Sequence, residues 1–224
     1  MTFRLNQGIA ACAGLLSFLI LPARAEDAAI SRILKGVEKR YNGSKTLEAG
    51  FSETYTFQGR KRTESGTLYL RKPGRMRWDY RIPAGKLFIS DGKEVYFYDP
   101  ESNRAEKVKL KDSEDLRAPM AFLLGRLDFN KDFQRFVSRA EGPNVWITAA
   151  PKSDNVPYRQ VQFLVTPEFR IDKLTVTGQD SSIMEFVFTG EKKNPALNDA
   201  MFRFQLPPGA QYVDSAQTPG GGSE

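Results

Sequence analysis

From Ala28 onward, Ile30, Ile33, Leu34, Val37 and Tyr41 recur at three- and four-residue spacing, which predicts an amphipathic helix over Ala28 to Tyr41. Asn42 and Gly43 supply its stop. The period then becomes two. The clearest run is Arg75 to Ile82, where Met76, Trp78, Tyr80 and Ile82 share one face and Arg75, Arg77, Asp79 and Arg81 the other, as in a strand with one dry side. Further strands are predicted at Val95 to Tyr98, Val145 to Ala149, Val161 to Val165, Ile171 to Thr177, Ile183 to Thr189 and Met201 to Leu206. Asp91 and Gly92 between two apolar runs mark a tight hairpin, and Pro100, Gly142 with Pro143, Pro167, Gly178, Gly190 and Pro207 with Pro208 punctuate the rest. Parallel neighbours would need crossover helices, so short strands with short turns imply one antiparallel, strongly curved sheet or open barrel.

The strand pattern is interrupted once, between Lys111 and Val137. Asp112, Ser113, Glu114 and Asp115 can cap a helix start, and Met120, Phe122, Leu123, Leu124 and Leu127 form an apolar patch too dense for a solvated loop. At the far end, residues 215–224 carry Gly220, Gly221 and Gly222 and little apolar content, which predicts a flexible tail. No repeat or linker divides the part between.

The N-terminus shows Arg4, an apolar run from Ile9 to Leu21 and then Ala23, Arg24 and Ala25, the order of a secretory signal peptide with a small-x-small cleavage site. Cleavage after Ala25 starts the mature chain at Glu26 and places it outside the cytoplasm. The apolar run is shorter than the roughly 20 residues of a spanning helix, so no membrane anchor is expected. Cys12, the single cysteine, precedes most of the apolar run, too early for a lipid-modified cysteine, and leaves with the signal. Removing 25 of the 224 residues leaves 199, one domain over 26–214 with its tail. The signal holds Arg4 and Arg24 and no acid, so the 33 basic residues fall to 31 against 27 acidic, a net of +4. That is mildly basic, short of the concentrated charge of a nucleic-acid binder.

The sequence has no histidine and the mature chain no cysteine, which removes the commonest general base, nitrogen ligand and thiolate together. It has no GxSxG elbow, P-loop or GxGxxG after a strand, and no carboxylate pair stands apart from the charges on solvated strand faces. No catalytic residue, cofactor or metal is therefore expected. What stands out is aromatic side chain on both strand faces: Phe186 and Phe188 alternate with Val187, and Tyr96 and Tyr98 with Val95 and Phe97. A helix over one side and an ordinary barrel core would explain this, and so would an incompletely filled interior that accepts an apolar ligand.

Several segments, in order, resemble the periplasmic lipoprotein carrier family, chaperones that move lipoproteins between the two membranes of Gram-negative bacteria. They are Leu47 to Phe57 (LEAGFSETYTF), Gly66 to Trp78 (GTLYLRKPGRMRW), Ile89 to Pro100 (ISDGKEVYFYDP), the helical interruption, and Phe202 to Gly209 (FRFQLPPG). The resemblance implies a mainly β fold: an unclosed antiparallel β-barrel, one strongly curved sheet, with an N-terminal helix and a short helical lid. It implies a hydrophobic cavity for lipoprotein acyl chains, with Met76, Trp78, Tyr80, Met120, Leu123, Leu124 and Phe186 as candidate cargo contacts and Met76 near the mouth. It implies a monomer that exchanges cargo with an inner-membrane ABC-type release complex and an outer-membrane lipoprotein receptor.

Family members commonly carry an arginine before the motif's proline, where it holds the lid. Here that position is Lys72, preceded by Arg71. Lysine keeps the charge but lacks the planar fork of donors, and Arg71 projects to the opposite face of a regular strand. A solvated strand end is the plain alternative for both. The competing functions are a carrier or sensor of another envelope lipid or of mislocalised lipoproteins on the same fold, and an envelope enzyme, which would need a buried carboxylate cluster.

Overall fold

The structure is a computed structural model and describes residues 23–110 and 127–213. The chain opens with helix α1 (Ala23–Asn42) and continues through β1 (Thr46–Phe57), β2 (Arg60–Arg71), β3 (Arg75–Ile82), β4 (Leu87–Asp91), β5 (Glu94–Asp99) and β6 (Arg104–Lys109). After residues 111–126 come a single helical turn α2 (Phe129–Asp132), then β7 (Phe133–Glu141), β8 (Asn144–Pro151), β9 (Tyr158–Val165), β10 (Ile171–Gly178), β11 (Ile183–Lys193) and β12 (Gln211–Val213). Among the described residues all twelve strands belong to one sheet, ordered β12-β6-β5-β4-β3-β2-β1-β11-β10-β9-β8-β7. Its ends, β12 and β7, do not meet, so the barrel is unclosed.

The topology is two antiparallel meanders, β1 to β6 and β7 to β11, joined by the long antiparallel pairing of β1 with β11 from Leu47 opposite Lys193 to Thr56 opposite Ile183. Only β12 departs from the expected antiparallel pattern: it runs parallel to β6. Curvature shows in the aromatic contacts. Trp78 on β3 and Phe186 on β11 are three strands apart, roughly 14 Å in a flat sheet, yet their ring centroids are 5.4 Å apart. The sheet must curl inward to bring them together.

The helix fills that curl. Of the residues whose spacing predicted it, Ile30, Leu34, Val37 and Tyr41 are buried in the core of the inner face and Ile33 is partly buried against it. Met76, Trp78 and Tyr80 on β3 belong to the same core cluster, with Phe51, Leu68, Phe163, Val176 and Phe186. The outer face of β3 to β5 has its own cover. Phe202 is buried, Phe204 stacks on Tyr96 at 5.1 Å, and Arg77 Nη1 donates to the Met201 carbonyl at 2.8 Å.

Four expectations are corrected here. Met201 to Leu206 is not a strand: Asp199–Phe202 is a 3-10 turn and the residues after it run extended without a ladder. An extended segment lying across a sheet also alternates its side chains, which is why Phe202 and Phe204 mimic a strand. The interruption ends at Asp132 rather than Val137, because β7 starts at Phe133. Ile82, expected on the dry face, is 62% exposed. The register of β2 and β3 shifts between Ser65 and Gly66, so Ile82 falls past the covered part of the inner face.

The fourth correction concerns Met76. It lies between Leu70 and Ser90 of the neighbouring strands with 0% exposure, so it belongs to the core and not to an open mouth. A carboxylate there could not stay hydrated, and burying it costs several kcal/mol. Met76→Glu is therefore expected to lower the melting temperature by roughly 10 °C or more, at about 2–4 °C per kcal/mol for a chain of this size. A near-normal thermal melt would mean that the site opens to water without cargo.

Candidate binding site

Of the expected cargo contacts, Met76, Trp78, Tyr80 and Phe186 are brought together on the inner face and all are buried. Phe51, which periodicity did not single out, joins them: its ring centroid is 4.6 Å from that of Trp78 and 5.0 Å from that of Tyr80, both edge to face. Met120, Leu123 and Leu124 lie outside the described residues. Between α1 and the sheet remains an interior gap of about 20 Å³, lined by Tyr41, Leu47, Leu68, Leu70, Leu174 and Phe188, with Glu191 at its edge. That holds about one water, whereas ligand pockets usually span about 300–1,000 Å³. Among the described residues, the side chains of the inner face pack into one cluster around this gap.

The plug is tied down by polar groups at the last turn of α1. Tyr41 is 5% exposed, and its hydroxyl donates to Glu191 Oε2 at 2.9 Å and accepts from the Ile171 backbone N–H at 2.9 Å. Arg40 Nε donates to Glu191 Oε1 at 3.1 Å. Thus one helical turn links the start of β10 to the end of β11. Burial, and then the negative charge of Glu191, push the Tyr41 phenol well above its ordinary range.

Lys72 completes the tie. Its Nζ donates to the Tyr41 carbonyl at 2.9 Å, placing a cation at the helix C-terminus, where the unpaired carbonyls and the dipole favour it. Burial lowers its pKa. Arg71 turns to the other face and donates to the Leu197 carbonyl at 3.1 Å and to Asp199. Neither residue is merely a solvated strand end: Lys72 holds the helix and Arg71 holds the C-terminal segment.

The chain re-entering after residue 126 is fastened to the same helix. Asn42 Nδ2 donates to the Leu127 carbonyl at 2.8 Å while its Oδ1 accepts from the Leu127 N–H at 2.7 Å, and Glu38 Oε1 accepts from the Phe129 N–H at 2.9 Å. Movement of α1 therefore strains the end of the interrupting segment.

One polar feature was missed. Glu53 and Glu64 stand directly opposite each other on β1 and β2 with their side chains inside, on the parity of Phe51 and Leu68. Glu53 accepts from the Tyr80 hydroxyl at 3.0 Å, and Glu64 pairs with buried Lys86 and with Arg62 Nε at 3.2 Å. Counting by two from Phe51 would have placed Glu53 inside. These groups satisfy one another, as buried charges require. Among the described residues no group of His, Cys, Asp or Glu could hold a metal, and no helix is long and apolar enough to cross a membrane.

Fold and site together define a curled antiparallel sheet whose apolar interior is stoppered by a helix. The family model described as outer membrane lipoprotein carrier protein LolA matches residues 42–205, and the chain belongs to that family. An outer-membrane lipoprotein carrier protein of Pseudomonas fluorescens is 31% identical over 207 residues, covering 88% of this chain and 94% of that one. Its counterpart in Chromobacterium violaceum is 27% identical over 197 residues, covering 86% and 91%. Among solved structures, a LolA-superfamily protein of Nitrosomonas europaea aligns with a TM-score of 0.46 at 9% identity, covering 78% of this chain and 97% of that one.

Removing the Tyr41 hydroxyl strands the Ile171 N–H, at a cost of about 1–3 kcal/mol. Tyr41→Phe should therefore melt several degrees below the parent. The phenol also holds its proton more tightly folded than unfolded, so its contribution is complete below pH 10 and is lost as pH rises above it. Alkaline unfolding of the parent should be steeper than that of Tyr41→Phe. Matching slopes would show that the phenol is not buried against Glu191.

Proposed function

We propose that this protein is a periplasmic chaperone that takes lipoprotein acyl chains onto the inner face of its sheet and carries them from the inner to the outer membrane. The observation that carries the reading is a largely apolar inner face covered by a single helix. Cargo enters by displacing α1. Met76, Trp78, Tyr80 and Phe186 then meet acyl chain where they now pack within the closed core. Lys72 reports the closed state, because its ammonium loses the Tyr41 carbonyl when the helix lifts.

No nucleotide site is needed for direction. A carrier accepts cargo from an energised donor and yields it to a site that binds it better, here an inner-membrane ABC-type release complex and an outer-membrane receptor. Burial of about 0.8 kcal/mol per methylene would trap every chain of a lipoprotein if all were swallowed, so the work of reopening the core keeps capture reversible. The protein acts as a monomer, exported through its cleaved signal peptide and without a cofactor.

The test is to purify the exported protein from its own envelope under mild conditions and weigh the intact complex. One acylated protein per carrier is the expected result. Free lipid would move the reading to a lipid carrier, and no adduct after donor-dependent loading would overturn it.

A further inference from the structure

Among the described residues, the Trp78 indole Nε1 is a fully buried side-chain donor with no hydrogen-bond partner. Trp78 is 0% exposed, held between the rings of Phe51 and Phe186. Buried N–H groups without an acceptor are rare because the lost hydration is not replaced. A phenylalanine would meet the same apolar walls without that loss. The indole also sits beside the gap under α1: Leu68, directly across from Trp78 on β2, lines it, and so does Phe188, stacked on Phe186 at 6.1 Å.

We infer that Trp78 Nε1 is the donor for an acyl carbonyl oxygen of the cargo, an inference that rests on the carrier reading above. The partner must be a neutral acceptor that arrives attached to an apolar chain, because a charged group would lose more hydration than one N–H returns. An ester or amide carbonyl at the head of an acyl chain meets both conditions. Widening the gap past Leu68 and Phe188 exposes the indole edge to the chain that replaces α1. The apolar face then supplies affinity for chain length, and the indole fixes how deep the chain sits.

The sequence has two tryptophans, and the other, Trp146, already donates to Glu141 Oε2 at 2.6 Å, so a ¹⁵N-labelled protein shows two indole resonances, one of them an internal reference. Three probes of equal chain length are added: a triacylated cysteinyl peptide, a monoacylglycerol, and the 1-O-alkyl glycerol ether that lacks the carbonyl. The Trp78 indole proton is expected to move downfield with the two carbonyl probes and not with the ether, while Trp146 stays still. The ester should bind about three- to tenfold tighter than the ether, the share of one hydrogen bond, and Trp78→Phe should erase that difference while still binding both. Equal binding of ester and ether by the parent overturns the carbonyl assignment and leaves the carrier reading standing, with no need of the variant. A shift with the monoacylglycerol and none with the peptide supports the assignment and overturns the lipoprotein as cargo. Binding of none of the three removes the carrier reading and this inference with it.

Discussion

The structure depends on keeping one helix inside a sheet that would otherwise expose an apolar trough. Ile30, Leu34, Val37 and the ring of Tyr41 do most of this. At roughly 1.5–3 kcal/mol for each buried side chain, docking of α1 gains on the order of 10 kcal/mol, an upper figure because the unfolded chain already hides part of that surface. About a dozen acyl methylenes at about 0.8 kcal/mol each would replace that burial almost evenly. An exchange so nearly balanced suits a protein that must both take and give. The polar groups at the last turn, Tyr41 with Glu191 and Lys72 with the Tyr41 carbonyl, then decide which side of the balance the empty protein occupies.

In the proposed cycle the sheet stays in place while α1 moves, and contacts on its outer face suit that role. Arg71, its cross-strand partner Arg75, and Arg77 two residues further along β3 share the solvent side of the β2–β3 hairpin and engage Leu197, Asp199 and Met201 of the segment after β11. Phe202 and Phe204 press that segment onto β3 to β5, and β12 adds itself to β6. The strap crosses the strands that carry Met76 and Trp78 on their inner side, so these side chains keep their register when α1 lifts. The buried group of Glu53, Glu64, Lys86 and Tyr80 fixes the same strands toward the β1–β2 turn.

Much of this was legible where one force dominates. Arg75 to Ile82 is β3, its burial alternating as far as Tyr80, and the spacing of Ile30 through Tyr41 marks the inward face of α1. Legibility failed where two demands meet at one residue. The long β1–β2 hairpin carries Glu53 and Glu64 at inward positions, which breaks the apolar alternation that would announce it. Gly36 looks like a weak point in a helix, but a side chain there would run into the Phe169 ring, which packs against the core, so close approach outweighs propensity. Lys72 and Arg71 could be assigned to opposite faces from strand geometry, whereas their partners, at Tyr41 and Leu197, are set by tertiary packing that no local pattern records.

Displacement of α1 is the central claim, and a distance measurement reaches it directly. Lys35 on the helix and Glu185 on β11 are both exposed, and the mature chain expected from the sequence has no cysteine, so Lys35→Cys and Glu185→Cys give one clean pair of spin labels. Arg81→Cys with Glu185→Cys gives a control pair within the sheet. Saturation with a triacylated peptide should lengthen the helix-to-sheet distance and leave the sheet-to-sheet distance unchanged. A helix-to-sheet distance that stays the same when the peptide is bound would contradict the account.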